Sequence, residues 1–502
     1  MILFLDKDDF LTIGHFLGKM VLGIGLAMVG PLLVALGVHE IQPFYDFLMS
    51  IFICFIAGAV LVTVCPQRCE LGWMHSFAIV SCCWLLAMFF GALPLWFSGH
   101  AQSFLDACFE SMSGFATTGL VMMTDLEHMS FAHNFWRHFT MFIGGQGIVL
   151  IVMAVLARAP QGALGMYIGE GRQEKILPNV VSTTRFIWTV SITYLLLGTG
   201  VLGIVLMHKG MPVARAFLEG TMLFMAAFDT GGFTPHEQSI NFYHDMRVES
   251  ITALCMMLGA ISFNLHYFLW TKRRNELFKN IEMRTFAGLF FLMLLALYLT
   301  LMPSTATGLF RKGFYQLISA QTGCGFTNLS GNELNVWKQS SLMFLALAMA
   351  FGGSMGSTTG GIKMLRLGMI FKAVAMEIKT WLLPFKARYC EKYHHFQNFV
   401  LEDKKVKNAF IGLFLFTTCF LIGGLIGCFY GYDFLPALFE SVSATANVGL
   451  STGITSPAMP AGLKITYIIQ MWLGRLEFIA IFVTIGIVVG SLRKKHEPRY
   501  EK

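Results

Sequence analysis

Long apolar stretches without Asp, Glu, Lys or Arg recur along the chain. They are Met20–Val38, Phe47–Gln67, Leu71–Leu105, His138–Ala157, Phe186–His208, Ser250–Thr271, Thr285–Phe310, Gln339–Ile362 and Asn408–Tyr432. A tenth, Ile465–Leu492, carries only Arg475 and Glu477. A hydrocarbon core of ~30 Å takes ~20 apolar residues as a helix, so the pattern predicts ten spans with both ends on one side. Lys and Arg then orient them. With both termini inside, 27 Lys/Arg fall in cytoplasmic segments and 7 outside. The external segment Gly99–Asn134 has none, and the internal segment Lys363–Lys407 has ten. Both termini are therefore expected in the cytoplasm of a multi-pass protein. Asp6, Asp8 and Asp9 stand where a cleavable signal would need basic residues.

Several external connections are themselves apolar and hold a glycine. Aligned on it, four segments match: Phe115-Ala-Thr-Thr-Gly119-Leu-Val121, Phe228-Asp-Thr-Gly-Gly232-Phe-Thr234, Gln321-Thr-Gly-Cys-Gly325-Phe-Thr327 and Thr445-Ala-Asn-Val-Gly449-Leu-Ser451. Glu110 and Glu440 stand nine residues before the glycine in the first and fourth, and Gln316 in the third. The glycines are 113, 93 and 124 residues apart, room for one span, a short half-span and a second span. The expected fold is thus an all-α integral membrane protein. Four helix–pore-helix–helix repeats surround one pseudo-fourfold pore, with two extra N-terminal transmembrane helices. The divisions are residues 1–69 for the addition, and 70–170, 171–280, 281–395 and 396–502 for the repeats.

Non-helical backbone at membrane depth is tolerated only within protein or around a cavity. Glycine permits the positive φ that turns successive carbonyls toward one axis. Four such segments can replace the hydration shell of a monovalent cation, and half-helix C-termini aimed at the axis favour it.

Composition narrows the field. Hydrophobic residues make up 55% and charged residues 13%, about half the ~25% charge of an average soluble domain. That excludes an ordinary soluble protein, a disordered chain and a nucleic-acid binder. The net charge of +7 is a topology signal. Eleven Cys lie scattered, several inside apolar runs, and read as small hydrophobes. Cys65 and Cys69 lack a second pair for zinc. We find no His/Asp/Glu cluster at catalytic spacing and no phosphate-binding Gly-Lys-Ser/Thr pattern, so an enzyme is not expected.

Two charged or glycine-rich features fall inside spans. Residues 352–361 hold five glycines, two Thr and two Ser, and each Gly costs a helix ~1 kcal/mol against Ala. Arg475 lies in the last span, where it needs a partner or water. It would raise the barrier to cations if it faces the axis; the alternative is an ion pair with Glu110 or Glu440, or bonds to helix ends. Arg137 and Lys363 lie nearer the membrane edges, where snorkelling is expected.

The chain resembles the TrkH-type membrane subunit of the Trk/Ktr/HKT potassium transporter superfamily. The four glycine segments carry the resemblance, with Phe135-Trp-Arg-His138, Gly144-Gly-Gln-Gly147, Gly352-Gly-Ser-Met-Gly-Ser-Thr-Thr-Gly-Gly-Ile-Lys363 and Leu473-Gly-Arg-Leu-Glu477. It implies potassium uptake through a pore within one subunit. The implied K+ filter positions are Thr117, Thr118 and Gly119; Thr230, Gly231 and Gly232; Gly323, Cys324 and Gly325; Asn447, Val448 and Gly449. Glycine at all four implies K+ preference, whereas serine at the first goes with Na+. The implied gate comprises Gly352, Gly353, Ser354, Gly356, Ser357, Thr358, Thr359, Gly360 and Gly361, with Arg475. The resemblance also implies a homodimer, a TrkA-like cytoplasmic nucleotide-binding ring as partner, and residence in the bacterial inner membrane. K+ is the bound and transported ion, and no organic cofactor is implied.

Two residues depart from the family pattern. Asp229 adds an acid near the second glycine segment, which could attract cations or bond to backbone amides behind it. Gln146 replaces an expected apolar residue. His394-His395 and Lys404-Lys405-Val-Lys407 suit a solvated face, or a docking surface for the ring or for membrane lipids. A sodium or non-selective cation transporter and a secondary transporter of an organic solute are the alternatives. Coupling as a symport stays open.

Overall fold

The computed structural model describes residues 5–148, 163–170, 179–271, 274–301, 306–329, 333–384 and 389–496. Helices dominate, as the apolar runs require. Each repeat opens on a long helix: Trp73–Phe97, Val180–His208, Ile281–Thr300 and Asp403–Phe429. A short helix follows in each: Phe104–Phe115, Val213–Phe228, Ala306–Thr322 and Phe434–Ala446. A third then crosses back: Phe131–Gln146, Met246–Ala260, Gln339–Ala350 and Ala461–Arg475.

The ten expected spans are not ten continuous helices. Among the described residues, six helices are long and apolar enough to cross a membrane, and two more candidates are bent pairs. The returning helix of every repeat breaks. Met246–Ala260 and Phe263–Trp270 meet at 102°, and Ala461–Arg475 and Ile479–Ser491 at 107°. Gln339–Ala350 gives way to the glycine-rich loop before Met364–Trp381. Phe131–Gln146 ends at Gly147, whose φ is +96°; the rest of that expected span lies outside the described residues. A glycine marks each break. Gly144, Gly259, Gly352 and Gly474 follow the four segment glycines by 25, 27, 27 and 25 residues. In three repeats a Cβ there would fall 1.8–1.9 Å from the carbonyl oxygen of Phe115, Phe228 or Thr445. The break therefore packs directly against the end of the short helix, with no room for a side chain.

The N-terminal addition is Lys7–Val38, slightly broken near Met28, and Ile41–Val64. The first helix starts well before Met20, at a capping box of Asp6 and Asp9 in which Asp6 N–H donates to Asp9 Oδ2 at 2.7 Å; Lys19, which interrupts the charge-free run, lies over the Phe16 ring 4.9 Å away. Gly18 and Gly58 let the two helices touch: a Cβ on Gly18 would meet Gly58 O at 2.9 Å. The addition is clamped to repeat 1, where His75 Nε2 lies 2.8 Å from Asp9 Oδ1 and Cys69 Sγ 3.4 Å from the same oxygen. His75 Nδ1 accepts from Gly72 N–H at 2.9 Å. Nε2 is then the protonated nitrogen and donates to Asp9, so the trio is held as an interhelical hydrogen-bond clamp.

A two-stranded antiparallel hairpin, Lys392–His395 with Gln397–Val400, adds to the helical fold in the connection between repeats 3 and 4. His394 Nε2 joins it to Glu276 at 2.8 Å.

Candidate functional site

The four short helices end in the same way. The residue two before each aligned glycine is left-handed: Thr117 (φ 52°), Thr230 (50°), Gly323 (71°) and Asn447 (55°). The next amide reaches back five residues: Thr118 N to Ser113 O, Gly231 N to Ala226 O, Cys324 N to Ser319 O and Val448 N to Ser443 O, at 2.8–2.9 Å. These bonds define a Schellman cap. Three of the four left-handed residues are not glycine, at a cost of roughly 1–2 kcal/mol each. The aligned glycines then turn left-handed again: Gly119 (84°), Gly232 (79°), Gly325 (89°) and Gly449 (97°).

These four glycines interlock in a closed ring. A Cβ on Gly119 would fall 2.2 Å from Gly231 O, on Gly232 2.0 Å from Cys324 O, on Gly325 2.1 Å from Val448 O, and on Gly449 2.2 Å from Thr118 O. Each glycine thus lies against the carbonyl of the next repeat, and the fourth returns to the first. Four segments scattered over 330 residues of chain meet around one centre.

Polar side chains fix the outer strands. Glu110 accepts from Met122 N at 2.6 Å, Gln316 donates to Thr327 Oγ1 at 2.7 Å, and Glu440 accepts from Thr452 N at 2.8 Å and Thr455 Oγ1 at 2.7 Å. Arg137 does not snorkel. It is fully buried, pairs with Glu110 at 2.7 Å, and donates to Thr234 O at 3.2 Å in the second repeat. A carboxylate inside the ring of helices outcompetes the membrane edge for it. Outside the glycine ring, a vestibule of about 380 Å³ touches all four aligned glycines.

On the other side the glycine-rich loop packs beneath the ring. Its base is closed by Gly352 N to Ile362 O and Ile362 N to Ala350 O, both 3.0 Å. Thr358 Oγ1 reaches Thr230 Oγ1 at 3.2 Å and Phe228 O at 3.0 Å. A Cβ on Gly360 would lie 2.3 Å from Ala446 O. Ser354 N bonds Ala260 O at the repeat 2 break, and Met355 N bonds Glu282 Oε1 at 2.7 Å. Gly353 N bonds Thr359 Oγ1, and Ser357 Oγ lies 2.8 Å from that oxygen. Lys363 is also buried, its ammonium on Thr359 O, so it too does not snorkel.

Arg475 ends its helix. It donates to Thr358 O at 2.7 Å in the loop, Gly144 O at 2.6 Å at the repeat 1 break, and Thr117 Oγ1 at 3.1 Å. One guanidinium therefore spans three repeats. Glu110 and Glu440 are engaged elsewhere, while Glu477, in a left-handed turn, pairs with Arg366. A cavity of about 30 Å³ beside Arg475, Gly356 and Glu170 has room for roughly one water. Asp229 lies behind the second segment, where Oδ1 accepts from Gln146 Nε2 at 2.7 Å.

The sequence reading named Gly352 for the gate and quoted Gly144 and Gly474 in motifs, but missed Gly259 and the shared place of all four at the helix breaks. Their spacing of 25 or 27 residues from the aligned glycines was the available signal.

A fourfold ring of capped half-helices inside a bundle of long apolar helices defines an all-α integral membrane protein. Residues 45–494 match the TrkH family, described as cation transport protein, and the chain belongs to that family. It is 31% identical to an uncharacterised cation transporter of Methanocaldococcus jannaschii, over 95% of this chain and 96% of that one. It is 29% identical to the Trk system potassium uptake protein TrkG of Escherichia coli, over 94% and 97%. The crystal structure of the potassium transporter TrkH from Vibrio parahaemolyticus has the same fold, with a TM-score of 0.78 over 94% of this chain and 98% of that one at 24% identity. The family is one of membrane transport proteins and not of enzymes.

Proposed function

We propose that the chain takes up K+ across the cytoplasmic membrane through the ring of four glycine segments. The observation that carries this reading is the cyclic contact of each aligned glycine with the next repeat's carbonyl. Oxygens so gathered can replace a hydration shell, with Thr117–Gly119, Thr230–Gly232, Gly323–Gly325 and Asn447–Gly449 as the filter. The relatives named for potassium uptake support K+ as the cargo. Glycine in all four positions supports K+ over Na+.

The loop 352–361 and Arg475 form the gate in this reading. The loop fills the space under the ring, and the guanidinium sets a fixed positive charge in the exit. A membrane potential of 100 mV supplies ~2.3 kcal/mol per charge, sufficient to drive accumulation once the loop moves. Asp229 acts from behind the second segment, by tethering it. The four repeats divide near residues 70, 171, 281 and 396. We place the termini in the cytoplasm on the Lys/Arg distribution. A homodimer docked to a cytoplasmic nucleotide-binding ring is the assembly that family membership supports.

The test is 86Rb+ uptake in K+-transport-deficient cells, wild type against Gly119→Ser. The reading expects Rb+ uptake in wild type and weakened discrimination against Na+ in the variant. Unchanged discrimination would overturn the filter assignment.

A further inference from the structure

A cavity of about 410 Å³ lies between Met364–Trp381, the hairpin, and the first half of Asp403–Phe429. Its lining changes character along its length. Lys405 and the Tyr393 ring stand at the polar end, the Arg366–Glu477 pair packs farther along against Gly412, and Ile411, Leu415 and Ile479 line the apolar part. Ile411 and Ile479 are 47% and 51% exposed on helices of a membrane bundle, so the apolar end opens sideways toward lipid. Lys405 to Leu415 is ten residues of helix, about 15 Å at 1.5 Å per residue, which is half of a ~30 Å hydrocarbon core. The cavity therefore runs from headgroup level through one leaflet. A second lateral cavity, about 280 Å³ and lined by Phe291, Leu294, Tyr298 and Phe314, has no charged residue among its described lining.

The charge at the polar end favours an anion. Lys404, Lys405 and Lys407 crowd the start of the helix. Lys405 pairs with the exposed Glu402 at 3.1 Å and lies over the Phe399 ring at 5.1 Å, and such a surface ion pair is worth about 0–1 kcal/mol. A phosphate can displace it. Arg366 is paired with Glu477, and the Arg366–Glu477 pair forms the inner wall. That wall also holds Met355, a residue of the glycine-rich loop, and Glu477 is two residues from Arg475. An occupant would touch both elements that close the space under the ring.

We propose that this cavity binds an acidic phospholipid, its phosphate at Lys405 and its upper acyl chain past the Arg366–Glu477 pair along Ile411, Leu415 and Ile479, and that occupancy acts on the loop through Met355. The coupling to flux rests on the transport reading above; the binding does not. The purified full chain is titrated with phosphatidylglycerol or phosphatidylcholine and examined by native mass spectrometry, for wild type, Lys405→Gln and the cavity-filling Ala409→Leu. Wild type is expected to retain phosphatidylglycerol about tenfold better, a difference worth 1.4 kcal/mol. Each variant should lose most of that preference. Equal retention of the two lipids, or variants that keep the preference, would overturn the proposal. Displacement of the lipid by millimolar inorganic phosphate would also overturn it, in favour of a soluble anion site. In liposomes, Rb+ flux of wild type but not Lys405→Gln should respond to phosphatidylglycerol. Equal responses would mark a general surface-potential effect and sink the coupling. Absence of flux in every liposome would count against the transport reading and leave the mass-spectrometric result to decide binding.

Discussion

Gln146 donates its side-chain amide to Asp229 across 2.7 Å, and both side chains are fully buried. These are the two positions that the sequence reading set apart from the expected pattern. Gln146 closes the repeat 1 helix just before its break, and Asp229 follows the last residue of the second short helix. Gly145 has no Cβ to spare for this contact, since one would fall 2.3 Å from Asp229 Oδ1. A buried hydrogen bond to a charged group is worth about 1.5–3 kcal/mol. Gln146→Leu and Asp229→Asn should each lower thermal stability in detergent. Their double-mutant cycle should return a coupling of about 0.5–3 kcal/mol. Additive effects would show that the pair is incidental.

Arg137 and Glu110 form an ion pair with no solvent exposure on either side chain. Removing one partner of such a pair costs about 3–5 kcal/mol, because the other charge is left buried. Arg137→Ala should therefore reduce folded yield severely, and the double change Arg137→Leu with Glu110→Leu should recover part of it. Size-exclusion profiles and melting temperatures of the variants check this. A double variant as unstable as the single would deny the pairing its importance.

Glycine substitutions should separate by position. A Cβ at Gly232 would fall 2.0 Å from the Cys324 carbonyl oxygen at a φ of +79°. Gly288 sits in the helix Ile281–Thr300 with nothing within 4 Å of a Cβ. Gly288→Ala should be neutral, or stabilising by up to ~1 kcal/mol through helix propensity. Gly232→Ala should abolish Rb+ uptake in the same assay. Normal uptake by Gly232→Ala would contradict the close packing of the ring.

Arg475, in the fourth repeat, holds three backbone or hydroxyl oxygens from the first and third. Two unit charges about 8 Å apart at an effective dielectric of ~20 repel by about 2 kcal/mol, a factor of roughly 30 in rate. Arg475→Ala should raise passive Rb+ flux in liposomes by about an order of magnitude. Arg475→Lys keeps the charge but not the fork, and should stay nearer wild type. Reduced flux in a folded Arg475→Ala protein would mean that the residue supports the pathway instead of obstructing it.

The long helices and the four glycine segments were legible because both are local: apolar length sets the first, and an aligned glycine with its flanking residues sets the second. The helix breaks were not, apart from the third, which the glycines of 352–361 signalled. A run such as Ser250–Thr271 is apolar throughout, and nothing in its hydropathy reports that Gly259 packs on Phe228 O and turns the chain by 102°. Arg137 and Lys363 were misread for a related reason. Their depth along the chain suits snorkelling, and only the tertiary arrangement brings Glu110 and Thr359 O to them. Asp229 and Gln146 were each visible as departures, yet 83 residues separate them, so their pairing required the fold.

The most direct test of the central claim is a map of the protein in Rb+ or Tl+, read for ion density within the ring. The account predicts density in contact with the carbonyl oxygens of Thr118, Gly231, Cys324 and Val448, as expected where backbone oxygens replace water, and its loss when Na+ replaces the heavier ion. Density that avoids the ring, or that is indifferent to the exchange of Rb+ for Na+, would contradict it.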